Sequence, residues 1–506
     1  MEALAMMGMN RQELNRAIGM WGIALCVFAA AAGWVFIRFG QAWSLTDLPI
    51  STHIGYVVPI YVVLEVALMP IGAKMADIHG FKPIFAIGAS VYILGSMLSM
   101  ISPTVEHMIV FRFIQGAGAG IIIGLGFSVV GRFYDNEKRG KPNELMTIAF
   151  AFGSLFGTAI GFFLTDNYDW RIGFLCFGII TAVGFFMTWF FLEPEEHDDR
   201  KPDVLNMVLT ALLFGIVALY TQSVNIEFPI FSWKSLLFIG TIAVLVVLVI
   251  VQSKRSENPT IPVGIPMFEK KLMFLMFMFS LCGLGLIQYF FKLYLTYYEF
   301  DIYKASSMFI FMLAGAAVTS LAGCRLVFKT GVRPWVVLGG IIVTIALILT
   351  HFIADDGVPQ FAASVFVFGI GLGCIVTEIL CSFQTVVRKE DMGSHTGALM
   401  AIRMAGILVG NAIVGSYIEE NMHMDYQGNV IHLTPDTEII SEIGAAVIND
   451  LAYVVEKLNE SFVTVLLFMA VVTAFLAIVS YTVEKDDVKA LEGASEEEDG
   501  EITEES

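Results

Sequence analysis

The chain has 506 residues, of which 57% are hydrophobic and 15% charged, with a mean hydropathy of +0.76. A water-soluble protein of this length covers itself with more charge than that. The formal net charge of −18 gathers in one long loop and in residues 484–506, and no dense basic patch stands apart from the helix ends, which excludes a nucleic-acid partner.

The apolar residues fall in runs of roughly 20, enough to cross ~30 Å of hydrocarbon at about 1.5 Å per residue. Within that slab every backbone N–H and C=O must be paired inside its own segment, so the runs read as helices. The short alternating segments of a membrane barrel are missing. In chain order the pattern predicts helices over 17–39, 53–75, 83–102, 107–131, 144–164, 171–192, 204–222, 233–252, 271–292, 304–328, 334–353, 359–385, 395–418 and 461–483. The first run is too long for a cleavable signal segment.

Lysine and arginine cluster in alternate loops, among them Lys74, Lys82, Arg132, Lys138, Arg139, Arg200, Lys254, Arg388 and Lys389. By the positive-inside rule these loops face the cytoplasm, which places both termini there in a multi-pass cell (inner, cytoplasmic) membrane protein. The loop 419–460 is long, and the helical spacing of apolar and acidic residues from Thr437 to Leu458 predicts a short surface helix in it. The acidic tail from 484 on is expected to be disordered.

Cys26, Cys176, Cys282, Cys324, Cys374 and Cys381 all lie within apolar runs, so neither disulfides nor a metal site is expected. No glycine loop with a following lysine offers a nucleotide site. The expectation is a protein that is no enzyme and carries no cofactor.

Between the second and third helices stands Gly72-Ala-Lys-Met-Ala-Asp77-Ile-His-Gly80-Phe-Lys82-Pro83. It resembles the gating-loop signature of the major facilitator superfamily, G-x-L-x-D-R-x-G-R-[RK]. Ala73 replaces the first glycine, Ile78 the first arginine and Phe81 the second, while Asp77, Gly80 and Lys82 remain. In the fourth helix Arg112-Phe-Ile-Gln115-Gly116 is similar to the superfamily's R-x-x-Q-G. An arginine inside a membrane is costly and calls for a partner or an aqueous cavity, or else for snorkelling from the helix end.

The fifth helix, with Gly153, Gly157 and Gly161, resembles the antiporter motif G-x-x-x-G-P-x-x-G-G, with Thr158 for the proline and Phe162 for the last glycine. Trp170-Arg171-Ile-Gly-Phe174 and the segment from Gly397 to Gly410 resemble the fourteen-helix drug:proton antiporter branch. Gly323 through Pro334 looks like a degraded second copy of the gating loop.

The resemblance implies an all-α integral membrane protein with the major-facilitator fold: two pseudo-symmetric six-helix bundles plus two inserted helices, 14 transmembrane helices in all. The parts are a cytoplasmic N-terminus (1–16), a first bundle (17–192), a linker (193–203), the inserted pair (204–252), a second linker (253–270), a second bundle (271–483) and the tail (484–506). In such transporters the bundles rock about a midplane site.

Ionisable residues inside a membrane are the leading functional candidates. Glu65 stands twelve residues before Asp77, roughly 18 Å from the inner end, and Glu378 roughly 15 Å above its own inner edge. Both suit a proton carrier. Arg403 lies at a depth close to that of Glu378, so the two are able to pair as a latch or as a static bridge. Arg112, Gln115 and Arg403 make up a candidate charge network. Arg38 and Lys292 either snorkel or line a cavity together with Trp34, Tyr289 and Tyr294. The first helix lacks the acidic residue usual in the antiporter branch.

The leading expectation is proton-coupled efflux of amphipathic compounds or drugs by a monomer in the lipid bilayer, with the small-molecule substrate and protons as its partners. An organic-anion or metabolite uniporter or symporter using Arg38, Arg112 and Arg403 is the second. A transport-dead sensor working through the acidic tail is the third. Deleting residues 486–506 separates the last from the others: a transporter retains most of its flux in proteoliposomes, whereas a sensor loses its function.

Overall fold

The computed structural model describes residues 11–44, 53–135, 138–194, 200–224, 227–282, 310–319, 326–327, 330–353, 358–421, 423–426, 429–432 and 451–482. Among these residues are fourteen α-helices. They are α1 (Arg11–Ser44), α2 (Val57–His79), α3 (Phe81–Met100), α4 (Val105–Phe133), α5 (Gly140–Asn167), α6 (Arg171–Phe191) and α7 (Val204–Ser223). The chain continues with α8 (Trp233–Arg255), α9 (Met267–Cys282), α10 (Ile310–Thr319), α11 (Arg333–Ile353), α12 (Val358–Thr385), α13 (Met392–Asn421) and α14 (Leu451–Ser480). Ten helices among the described residues are long and apolar enough to cross a membrane.

The two helix bounds that differ most from the hydropathy reading do so for a physical reason. Hydropathy stops at charge, but a backbone ladder does not. α1 begins at Arg11, inside the segment expected as an N-terminal tail, and the Arg16 guanidinium donates to the Phe133 carbonyl at 2.8 Å. α14 begins at Leu451 and runs through Glu456, Lys457 and Glu460, so it takes in the end of the expected outer loop. The predicted surface helix from Thr437 to Leu458 lies partly outside the described residues, and its last part belongs to α14. That loop also holds an antiparallel hairpin, β1 (His423–Tyr426) with β2 (Asn429–His432), pairing His423 with His432. Among the cysteines, Cys26, Cys176, Cys282 and Cys374 are free, whereas Cys381 is disulfide-bonded, against expectation.

Within a membrane, apolar side chains gain nothing by leaving lipid for one another, so helices associate through close backbone packing. Glycine supplies it here. Gly116, Gly120 and Gly124 form one stripe of α4, where a Cβ would stand 2.4, 2.3 and 2.3 Å from the carbonyl oxygens of Tyr61, Glu65 and Met69 on α2. Gly153 and Gly157 of α5 lie in the same way on Phe28 and Ala32 of α1.

The second half repeats the device. Gly369 and Gly373 of α12 meet Met312 and Ala316 of α10, and Gly406 and Gly410 of α13 meet Phe277 and Leu281 of α9. The α4 and α12 glycines, and those of α5 and α13, are related by one constant residue offset. The turns agree as well: Gly80, before α3, and Gly331, before α11, both take positive φ, 83° and 76°, where a side chain would strain the backbone. α1–α6 and α9–α14 are two copies of one six-helix unit.

The inserted pair is tied in by polar groups. α7 packs on α2, and α8 packs on α7 while turning most of its surface outward. Asn206 donates to Ser253 at 2.9 Å and accepts from the Thr260 amide at 2.8 Å. Asn258, just beyond α8, accepts from the buried Lys74 ammonium of α2.

Filling the α2–α4 seam has a defined cost. Overpacking a tight contact costs about 1–3 kcal/mol, so Gly120→Val should lower the melting temperature in detergent by several degrees. Gly240→Val, with nothing within 4 Å of its Cβ, should leave it unchanged.

Candidate functional site

Polar side chains concentrate at two levels. The first is the end of the helices that carries the loop at Gly80. Asp77, on the last turn of α2, is buried and forms an ion pair with Arg132 from the end of α4. Its two carboxylate oxygens also accept from the backbone amides of Gly393 (2.7 Å) and Ser394 (2.6 Å), the first turn of α13. A helix N-terminus offers unpaired N–H groups and a partial positive charge, so one carboxylate joins both halves of the molecule. α13 comes this close because Gly393 and Gly397 lie on Ala73, where a Cβ would meet Ala73 atoms at 2.2 and 2.5 Å.

The seal extends sideways. Asn143 of α5 donates to the Gln384 side chain of α12 at 2.7 Å, and Gln384 donates back to the Phe127 carbonyl of α4 at 2.9 Å. Arg139 bridges the Gly131 and Gln384 carbonyls. Arg200, from the linker before α7, pairs with Asp391 at 2.7 Å and donates to the Glu390 carbonyl at 2.9 Å.

Of the expected gating residues, Asp77 and Gly80 stand at this seal. Lys82 does not. It is half-buried and donates to the Trp189 carbonyl at 3.0 Å near the end of α6.

The second level lies within the helices. Arg112 is fully buried and does not snorkel. Its guanidinium donates to Gln115 at 2.8 Å, stacks 4.0 Å from the Tyr61 ring centroid, and leaves Nη2 without a hydrogen-bond partner. Gln115 passes the chain on to Ser96 at 3.1 Å, and Ser96 to the Phe174 carbonyl at 2.8 Å. Tyr61 and Tyr92 donate to the Ala30 and Ala29 carbonyls of α1. Glu65, one turn beyond Tyr61 on α2, is fully buried, and neither carboxyl oxygen has a hydrogen-bond partner. The Trp34 indole N–H is likewise buried and unpartnered.

Glu378 on α12 is fully buried with both oxygens unpartnered, so the ion pair with Arg403 that depth alone allowed is not formed. Equal depth on neighbouring helices does not fix the direction in which each side chain leaves its helix. Arg403 turns across the interface between the halves, its guanidinium 5.4 Å from the Phe150 ring centroid and 6.0 Å from that of Phe127. Arg38 lies on α1 with its side chain outside the described residues, as are Tyr289, Lys292 and Tyr294 entirely.

Sequence reasoning missed Arg132, Gln384 and Asn143 as members of the seal. Each is a polar residue at the end of an apolar run, a signal shared with many residues that merely face water.

The comparisons follow this geometry. Residues 23–411 match the family model described as Major Facilitator Superfamily. The multidrug transporter protein MdtP of Bacillus subtilis (strain 168) is 21% identical over 424 residues, covering 81% of this chain and 76% of the relative. Multidrug resistance protein 3 of the same organism is 24% identical over 406 residues, 78% of each chain. Among solved structures, the human organic anion transporter MFSD10 superposes with a TM-score of 0.62 at 12% identity, covering 93% of this chain and all of that one. The proton:xylose symporter XylE gives 0.59 at 12% identity, covering 94% and 98%.

The Asp77 contacts have a direct readout. Removing one partner of a buried ion pair costs about 3–5 kcal/mol. Asp77→Ala should therefore speed deuterium exchange at the Gly393 and Ser394 amides by about tenfold or more, whereas Lys82→Ala should leave it unchanged.

Proposed function

The chain belongs to the major facilitator superfamily, and from that membership we propose that it expels amphipathic organic compounds in exchange for protons. It is a multi-pass membrane transporter and not an enzyme. Drug efflux as the task has the support of relatives named as multidrug transporters.

The observation that carries proton coupling is the pair of buried, unpartnered carboxyls, Glu65 and Glu378. An uncompensated charge in such a place is costly, and a proton removes the cost. One carboxyl stands in each six-helix unit, so a proton bound at either changes the electrostatic balance of that unit as its surroundings open.

The seal at the Gly80 end gives alternating access its barrier. With Asp77, Arg132, Asn143 and Gln384 engaged, the halves are held together at that end. The basic residues there support reading it as the cytoplasmic side. Opening to the cytoplasm breaks those contacts, and substrate enters from that side. Closing restores them, and the rocking motion exposes the centre to the opposite side, where protons replace the released compound on Glu65 or Glu378.

A second reading, organic-anion transport, draws on Arg403 and Arg112, since both guanidiniums retain buried nitrogens without hydrogen-bond partners. Counter-transport with cationic dyes against aromatic carboxylates tells the two apart.

In proteoliposomes, the double variant Glu65→Gln/Glu378→Gln should lose pH-driven accumulation of ethidium while keeping downhill exchange. Undiminished pH-driven accumulation refutes the role given to these carboxyls.

A further inference from the structure

The inserted pair sits on the seam between the two units. α7 packs on α2 of the first unit and on α13 of the second. Its hold on α2 is looser than that of α4. At Gly215 a Cβ would stand 3.6 Å from the Ala67 Cβ, an ordinary contact between side chains. At the far end of α7, the apolar Val224 and Phe228 pack with Ala412 of α13.

The polar hold is at the other end, beside the seal, and it is crossed. Arg200 precedes α7, in the stretch that leaves the first unit, yet it bonds to Asp391 and to the Glu390 carbonyl of the second. Asn258 follows α8, in the stretch that enters the second unit, yet it accepts from Lys74 of the first. The two stretches are tied to one another as well. Asn258 donates to the Lys201 carbonyl at 3.3 Å, Gln252 to Asp203 at 2.9 Å, and the Thr260 amide to Asn206 at 2.8 Å. Connecting segments ordinarily face water, but Asn258 and Thr260 are buried, as is Lys74. A buried polar network of this kind fixes one arrangement of its members.

Both anchors flank the Asp77 contact. Lys74 is one turn before Asp77 on α2, and Asp391 is two residues before Gly393, whose amide donates to Asp77. Parting the halves at this end draws Lys74 and Asp391 apart, so a knot bonded to both must release one of them. We propose that residues 200–206 and 253–260 form a crossed strap that holds the cytoplasmic end shut and sets how often it opens. The inference rests on the alternating-access reading above and adds a regulatory part to it. The apolar contact at the far end of α7 has no directed bond to break, so the strap favours the state closed to the cytoplasm. Only the open fraction admits substrate from that side, and apparent affinity falls in proportion.

Deuterium exchange of the purified full-length chain reads the seal directly. Arg200→Gln/Asn258→Ala should speed exchange at the Gly393 and Ser394 amides about tenfold, leaving the opposite ends of the helices unchanged. Arg200→Lys should keep most of the protection. Arg388→Gln is the control and should change nothing. Arg388 also pairs with Asp391, but from within the second unit and with 76% of its side chain exposed, against 31% for Arg200.

Unchanged exchange at the seal in the double variant overturns the strap. So does faster exchange spread evenly over all helices with a lower melting temperature, since that marks the linkers as merely structural. Where the double variant fails to fold, a lock decides. In a Cys176→Ser chain, Arg200→Cys/Asp391→Cys bridged by a reducible bis-methanethiosulfonate should halt downhill ethidium exchange in proteoliposomes, and dithiothreitol should restore it. Exchange that continues through the bridge overturns the strap. Ethidium exchange by the unbridged chain reads the transport proposal separately: its absence removes that reading, while deuterium exchange at the seal still decides the strap.

Discussion

The close approach of paired helices is the constraint on which the rest of this structure depends. Lipid gives apolar side chains no reason to prefer one another, so α4 holds α2 by bringing backbone against backbone along Gly116, Gly120 and Gly124. That contact holds the backbone of Tyr61 and Glu65 directly against α4. It sets the Tyr61 ring under the Arg112 guanidinium, with both side chains fully buried. Larger residues at these positions would spread the helices and admit solvent. The buried charges would then be ordinary hydrated ones.

Two kinds of polar group share this frame, and they differ in how fully they are satisfied. At the seal, Asp77 has an arginine and two amides, and Gln384 both donates and accepts. Those groups stabilise one arrangement of the halves. In the interior, Glu65, Glu378 and Arg403 have polar atoms that nothing in the described protein answers. A fold that pairs its polar groups at one end has the means to pair them elsewhere, and that contrast sets the interior groups apart.

The sequence carried the helices because each is specified locally, by some twenty apolar residues and the absence of charge. Gly80 was legible for a similar reason: a turn that needs positive φ leaves glycine as its trace. The Arg112–Gln115 bond was legible because i and i+3 share a helix face. Asp77 was legible as part of the loop motif but its partners were not, since Arg132 and Ser394 reach it through packing between distant helices. Glu378 and Arg403 show the limit most clearly. Counting residues gave the two a similar expected depth, but depth is one coordinate of three, and the ion pair that it allowed is not formed. The hairpin of β1 and β2 stands in a loop whose pattern suggested only a helix, because two short strands leave a weaker periodic trace than a helix does.

The matching glycines of the two units have one more consequence. They let the chain serve as its own alignment, so each charged residue of the interior names a counterpart in the opposite half. Arg112 corresponds to Val365, Glu378 to Leu125 and Arg403 to Phe150, while Glu65, read from the glycine it packs on, corresponds to Ala316. Every counterpart is apolar. The scaffold exists twice, but each of these four ionisable groups exists once, so the two halves differ in buried charge. Two halves built on one plan become unequal only through such fittings, and here they include these four side chains.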